Sequence, residues 1–279
     1  ISFIGAIMIY KRHHSIEISD QDYLDYFKSI NSSRSKCFNV GSGVWAHDFW
    51  TNIDLPPQSQ EFAKIQSPCL FHDLVKDDEL PIKDNSAELI FTSHVIEHLL
   101  DIDVIKLFKS AYRSLKPGGI IRVVTGPDSD TDFKALRRDD RQWWYFYDED
   151  KNLENINSNL SSVDCWMKHL ATPRSVHSTT PCDKKYTEKE IIELIEKFDG
   201  KPDQLRDLFT NGLEYNINAP GDHLSWWNAE KLVVSLKQAG FSIVEKSGYG
   251  QSKSIFMRDL RFFDLTYPQI SLYVEAVKT

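Results

Sequence analysis

Cys37-Phe-Asn-Val-Gly-Ser-Gly43, followed shortly by Trp50-Thr-Asn-Ile-Asp54, decides how the rest of the chain is read. Apolar and small residues running into Gly41-Ser42-Gly43 predict a buried strand that ends in a sharp turn. The missing Cβ atoms there let the backbone approach a ligand. A second short strand, Thr51 to Ile53, delivers Asp54 at its carboxyl end. In an open parallel sheet ligands bind at that rim, and an acid on the second strand is the usual partner of a ribose diol. Glycine turn plus acid predicts a nucleoside-bearing cofactor.

Outward from this stretch, strands and helices alternate. Residues 19–30 carry a capping Ser or Asp and then apolar residues at three- and four-residue spacing, which predicts an amphipathic helix leading into the first strand. About ten residues separate the first two strands, too few for a regular crossover helix. Cys69-Leu-Phe71 reads as a third strand ending in His72-Asp73-Leu74, and Ala87–Thr92 as a fourth. Residues 95–115 have helical periodicity, stopped by Lys116-Pro-Gly-Gly119, and Ile120–Thr125 is a fifth strand. Alternation of this kind marks a parallel sheet covered on both faces.

At Gly126 the pattern changes. Residues 127–222 hold clustered charge, Asn-rich turns and helical periodicity over Glu188–Phe198 and Pro202–Leu208. The expected domain plan is therefore 1–126 with 223–279 as the cofactor-binding domain, and 127–222 as a mainly helical insertion serving as an acceptor-binding cap. Sheet patterning resumes with a helix over Asn228–Ala239, a strand over Phe241–Glu245 and a last strand over Ser271–Ala276. The expected fold is α/β, a Rossmann-like, mostly parallel seven-stranded sheet with the insertion after its fifth strand.

Composition excludes several alternatives. A net charge of −8 provides no long-range attraction to a polyanion, so nucleic acid is not the expected partner. Cys37, Cys69, Cys165 and Cys182 lack metal or redox spacing; no zinc site is expected from them, and a reduced cytoplasmic setting is. The apolar opening, Ile1–Tyr10, is too short to span a bilayer and reads as a docked strand or helix.

Taken in order, Asn39-Val-Gly-Ser-Gly43, Asn52-Ile-Asp-Leu55, His72-Asp-Leu74, Leu80-Pro-Ile-Lys-Asp84, His94-Val-Ile-Glu-His-Leu99 and Leu115-Lys-Pro-Gly-Gly119 resemble the successive motifs of class I S-adenosylmethionine-dependent methyltransferases. The resemblance is close over residues 37–126 and returns in Leu236-Lys-Gln-Ala-Gly-Phe241. The tail, with Gly250-Gln-Ser252 and Phe263-Asp264, is similar to methyltransferases of bacterial surface-polysaccharide biosynthesis. Val44 and Trp45 depart from the family's fuller glycine pattern.

The resemblance implies S-adenosylmethionine as cofactor, held by Asn39, Gly41, Ser42, Gly43, Asp54, Leu55, Asp73, Leu74, Ser93 and His94. Asp54 would accept from the ribose hydroxyls and Asp73 from the adenine amino group, with Leu74 against the ring. Capping of a loop at a strand end is the alternative for both acids. Methyl transfer needs alignment of the acceptor and, for a hydroxyl, removal of its proton. His94, directly after the fourth strand, is the expected general base, and His223 the second candidate. His98 is expected to pack or cap. No metal ligands are assigned, Asp128, Asp130 and Asp132 being read as solvated or capping residues.

Within the insertion, Arg141-Gln-Trp-Trp-Tyr-Phe-Tyr147, preceded by Arg137 and Arg138, could supply an aromatic face for a sugar, although most of these rings are expected in the insertion's own core. The expected reaction is O-methylation of a sugar, free or carried on a nucleotide or lipid, in surface-glycan biosynthesis. An amine, lipid or natural-product acceptor and a non-catalytic binding module are the alternatives. The oligomeric state stays open, with a homodimer one option.

Overall fold

The computed structural model describes residues 16–29, 36–56, 69–140, 143–144 and 160–279. Seven strands form one sheet: β1 (Cys37–Val40), β2 (Thr51–Asp54), β3 (Cys69–Phe71), β4 (Ala87–Ser93), β5 (Leu115–Thr125), β6 (Ile243–Lys246) and β7 (Leu272–Val277). Their order is β3-β2-β1-β4-β5-β7-β6. The five strands β1 to β5 are mutually parallel, and β7 is antiparallel to both neighbours. This is the mostly parallel, Rossmann-like sheet expected from the alternating pattern.

Burial explains why the central strands read as apolar runs rather than alternations. All four residues of β1 are buried, as are six of seven in β4, because helices cover both faces. One face packs Val40, Ile90, Ile121 and Val123 against α2 (Asp101–Ser114) and α7 (Ala229–Gln238), through Val104, Phe108, Leu232 and Leu236. Each such fully buried aliphatic side chain contributes about 1.5–3 kcal/mol by leaving water. The other face carries an aromatic-rich layer of Tyr23, Phe27, Phe49, Trp50, Phe91, Phe256 and Phe263. The first helix, α1 (Asp20–Ser29), supplies part of it, in keeping with its periodicity.

The short β1–β2 connection contains no helix. Its space on the sheet is filled by side chains: Trp45 donates from Nε1 to the Phe262 carbonyl at 2.6 Å and accepts at its own carbonyl from Asn52 at 2.7 Å. Trp45 thus fastens the turn to the C-terminal segment, which accounts for its departure from a plain glycine loop.

One expected helix is divided. Residues 95–115 form a 3-10 turn at Ile96–His98 and then α2 from Asp101. The reason lies in the carbonyls of the turn. Ile96 accepts from Ser225 Oγ and Trp227 Nε1, and Glu97 accepts from the amides of Leu224 and Ser225, so these groups serve a distant segment instead of a continuing helix.

Between β5 and α7 lie α3 (Ser129–Arg137), α4 (Ser162–Leu170), α5 (Glu188–Lys197) and α6 (Pro202–Thr210). They share their own core of Trp166, Met167, Ile191, Leu205 and Phe209, which extends to Leu224 and Trp226. Thr187 and Glu190 form a capping box at the start of α5, and Ser161 with Asp164 forms another at α4. Among the described residues no helix is long and apolar enough to cross a membrane. The reading of Ile1–Tyr10 and the rings Tyr145–Tyr147 fall outside the described residues.

Candidate active site

Parallel pairing puts the ends of β1, β2 and β3 on one rim. The Gly41 amide donates to the Ile53 carbonyl and the His72 amide to the Asp54 carbonyl, each at 2.8 Å. Gly41 has φ +70°, and a Cβ there would lie 2.2 Å from Val95 Cγ2, so only glycine is accommodated. Asp54 receives one backbone donor on each carboxylate oxygen, Gly43 at 2.6 Å on Oδ2 and Leu55 at 2.7 Å on Oδ1. Ser42 Oγ also faces Oδ2 at 3.5 Å, so the carboxylate is clamped while Oδ1 keeps a lone pair. A cleft beside it is lined by Asn39, Gly41, Ser42, Ser93 and, from the C-terminal segment, Phe262 and Leu265.

Asp73 sits at the same rim but is built as a turn cap. Its Oδ1 accepts from the amides of Val75 and Lys76, and its Oδ2 pairs with Lys76 Nζ at 3.1 Å. Burial works to raise its pKa, yet these hydrogen bonds win and hold the carboxyl below the usual range. Leu74 packs on the sheet's main core. One residue not singled out from the sequence is Tyr215, which packs on the core of the helical layer and whose hydroxyl is held above its ordinary pKa by burial and then by the charges of Asp73 and Asp54.

Beyond β4 the chain turns sharply at His94, whose φ of +54° is rare for a residue with a Cβ. The ring is pinned on three sides. Nδ1 faces Glu97 Oε1 at 3.0 Å, Nε2 lies 2.9 Å from Ser271 Oγ and 3.2 Å from the Thr266 carbonyl, and a Cβ on Gly126 would lie 2.6 Å from Cε1. Glu97 and the Thr266 carbonyl can each only accept from the ring, whereas the Ser271 hydroxyl can serve Nε2 as donor or acceptor. The segment bearing Thr266 and Ser271 is fixed in turn by Asp264, which forms a fully buried ion pair with Arg122 of β5 that also engages Glu275 of β7.

Glu97 was not singled out from the sequence, although it stands one helical turn after His94. It is buried, and accepts from Thr125 Oγ1 at 2.9 Å and the Gly126 amide at 3.3 Å as well as from His94. Desolvation favours its neutral form, but the neighbouring His94, with lesser pulls from His98 and His223, brings its pKa down to about 2. On the far side stands His223, buried, with Nδ1 on the His169 carbonyl at 2.5 Å. Burial above all, then His98, pushes its pKa down to about 3, so it is neutral near pH 7. His98 and His223 meet edge to face with centroids 4.9 Å apart. Glu97 therefore joins the two histidines that the sequence proposed separately. Beside them a small pocket is walled by Asp132, Trp166, His169 and Trp226.

The remaining expectations resolve into packing. Asp128 caps α3, Asp130 pairs with Arg206, and Asp132 accepts from Trp143 Nε1 at 2.7 Å. Trp144 is buried in the helical core.

Residues 40–123 match the sequence profile of a family described as "Methyltransferase domain". Over those residues the chain carries a methyltransferase domain. Its cofactor is S-adenosylmethionine. The glycine bend closed by Val95, the clamped Asp54 and the cleft beside them fit that group. Among curated proteins no sequence matches. Similar solved structures include a methyltransferase from Archaeoglobus fulgidus, 11% identical with TM-score 0.41, the alignment covering 92% of this chain and 99% of that one. Another, from Mesorhizobium loti, is 15% identical with TM-score 0.41, covering 87% and 90%. A third, from Thermotoga maritima and described as a possible histamine N-methyltransferase, is 13% identical with TM-score 0.39, covering 98% and 99%. No acceptor follows from such distant likenesses.

Proposed function

We propose that the protein O-methylates a small hydroxylated acceptor, a sugar either free or linked to a nucleotide or lipid, in cytoplasmic surface-glycan biosynthesis. The observation that carries this reading is the His94–Glu97 pair at the end of β4, next to the rim that holds Gly41 and Asp54. When bound, the cofactor supplies a methyl group on a positively charged sulfur. Asp54 would hold the ribose hydroxyls, with Gly41, Ser42 and Gly43 passing beneath the methionine end. Asn39, Leu55, Leu74 and Ser93 would line the cleft, and Asp73 would offer Oδ2 to the adenine amino group while keeping its capping bonds.

His94 is the proposed base: Glu97 orients its ring from Nδ1, and an acceptor hydroxyl would reach Nε2 by taking the place of Ser271. Residues 127–222 would close the acceptor side, the wall of Trp166 and Trp226 offering an apolar face to a bounded molecule. An acceptor of limited size also agrees with a net charge of −8. A second reading is favoured by the occupied Nε2. An amine acceptor needs no strong base and would leave His94 as a positioning residue.

The test is a screen of nucleotide sugars, glycan fragments and amines with S-adenosylmethionine, read by the mass of one added methyl. A sugar product is expected, and His94→Ala should lower its kcat by about 10²–10⁴-fold. Methylation of amines alone, with kcat retained in the variant, would overturn the O-methyl assignment.

A further inference from the structure

Behind the proposed base, Glu97, which also pairs with His94, converges with two histidines that the glycine rim and the His94 contacts do not require. Glu97, His98 and His223 each bring one potential ligand atom to within 4.8 Å of the other two. Glu97 and His223 are buried and His98 half-buried. Around a single ion with bonds near 2.1 Å, neighbouring ligand atoms stand roughly 3.3 Å apart, so the cluster has to close by no more than about 1.5 Å.

The surroundings are those of a metal site as well. His98 Nδ1 faces the Asp222 carbonyl at 3.2 Å, and His223 Nδ1 faces the His169 carbonyl at 2.5 Å. Donation from Nδ1 to a backbone carbonyl fixes the tautomer that carries its lone pair on Nε2, the outer contact that ligating imidazoles typically make. Glu97 is held at Oε1 by His94 and the Gly126 amide and at Oε2 by Thr125, so Oε2 has capacity for one further bond.

The two ligand-bearing segments are also fastened to each other. Leu224 donates to the Glu97 carbonyl at 2.8 Å, Ser225 Oγ to the Ile96 carbonyl at 3.0 Å, and the His223 amide to Thr172 Oγ1 at 2.9 Å. The cluster is therefore pre-positioned by hydrogen bonds between segments remote in the chain.

We propose that Glu97, His98 and His223 bind one divalent transition-metal ion of the zinc type. Two imidazoles and one carboxylate suit Zn²⁺ or Co²⁺ and not Mg²⁺, which prefers an all-oxygen shell. Three protein ligands leave a fourth position open, and the pocket walled by Asp132, His169 and Trp166 adjoins it. An oxygen-bearing ligand is the chemistry that position takes. The proposal stands apart from the methyl-transfer reading, because metal binding is read without cofactor or acceptor.

The full chain, stripped with chelator and dialysed, is titrated with Co²⁺. One equivalent is expected to bind with the intense visible absorption of a four- or five-coordinate ion, to be displaced by Zn²⁺ and to persist in excess Mg²⁺. His98→Ala and His223→Ala should each weaken binding at least tenfold, whereas His177→Ala, at the exposed partner of Asp164, should bind as the parent does. Zn²⁺ should raise the melting temperature of the parent and not that of His98→Ala. Should His223→Ala fail to fold, the half-buried His98 carries the test alone. No Co²⁺ absorption, or an absorption that survives His98→Ala, would overturn the site.

Discussion

The two halves of the active site are built in opposite ways. The glycine rim proposed for the cofactor is made by residues that follow one another along adjoining parallel strands. Gly41, Gly43 and Asp54 come from one short stretch and meet through backbone bonds to β2. The histidine side is assembled from remote pieces: His94 and Glu97 after β4, Ser271 from just before β7, His169 from α4 and His223 from the segment before α7. The first half depends on the course of the main chain, and the second on side-chain bonds between segments. A site of this kind can keep its cofactor grip while its acceptor side varies.

That contrast can be broken most directly at Asp54. Loss of its two clamped oxygens in Asp54→Ala should weaken S-adenosylmethionine binding by about 100-fold, since hydrogen bonds to a charged group are worth about 1.5–3 kcal/mol each. Calorimetry should find His223→Ala within a few-fold of the parent for the same ligand. Equal losses in both variants would mean that the two halves are one unit.

Gly41→Ala sharpens the comparison because the obstructing atom belongs to Val95, the residue after His94. A positive φ adds a penalty of about 1 kcal/mol for alanine, and the 2.2 Å approach to Cγ2 adds more. Cofactor affinity should fall by roughly tenfold or more, and Val95→Ala should restore part of it. Absence of any rescue would place the damage in the turn alone.

The smallest effect concerns the aromatic patch that replaces the crossover helix. Burial holds the pKa of His47 below its ordinary 6.5, against the opposing pull of Asp48 and Asp259. The folded form therefore takes up its proton at lower pH than the unfolded chain does. Stability from this residue is complete above pH 6.5 and is lost as the solution is acidified below it. Melting temperature should decline on that side of neutrality, and His47→Gln should flatten the decline. An unaltered slope would remove His47 from the account.

How much could be read in advance follows the same division. β1 through β5, the glycine bend and Asp54 were legible because their signals are local: apolar runs, turn residues, an acid at a strand end. Glu97 carried a weak local signal, its place one helical turn from His94. The pairing of His98 with His223 and the anchoring of Trp45 on Phe262 carried none. Each is a contact between segments more than 100 residues apart, and no periodicity records such a meeting. Helical spacing over residues 95–115 also misled. The carbonyls of Ile96 and Glu97 found better partners in Ser225 and Leu224 than in the next helical turn.

Those carbonyl bonds have one further consequence. A layer tied to the strand ends at Ile96 and Glu97 would have to break those bonds to swing away like a hinged door. With the bonds kept, the recess beneath it would be filled from the side, and selection would fall on what is slender enough to slide in. A substrate borne on a bulky carrier would have to present its reactive end first, with the carrier left outside.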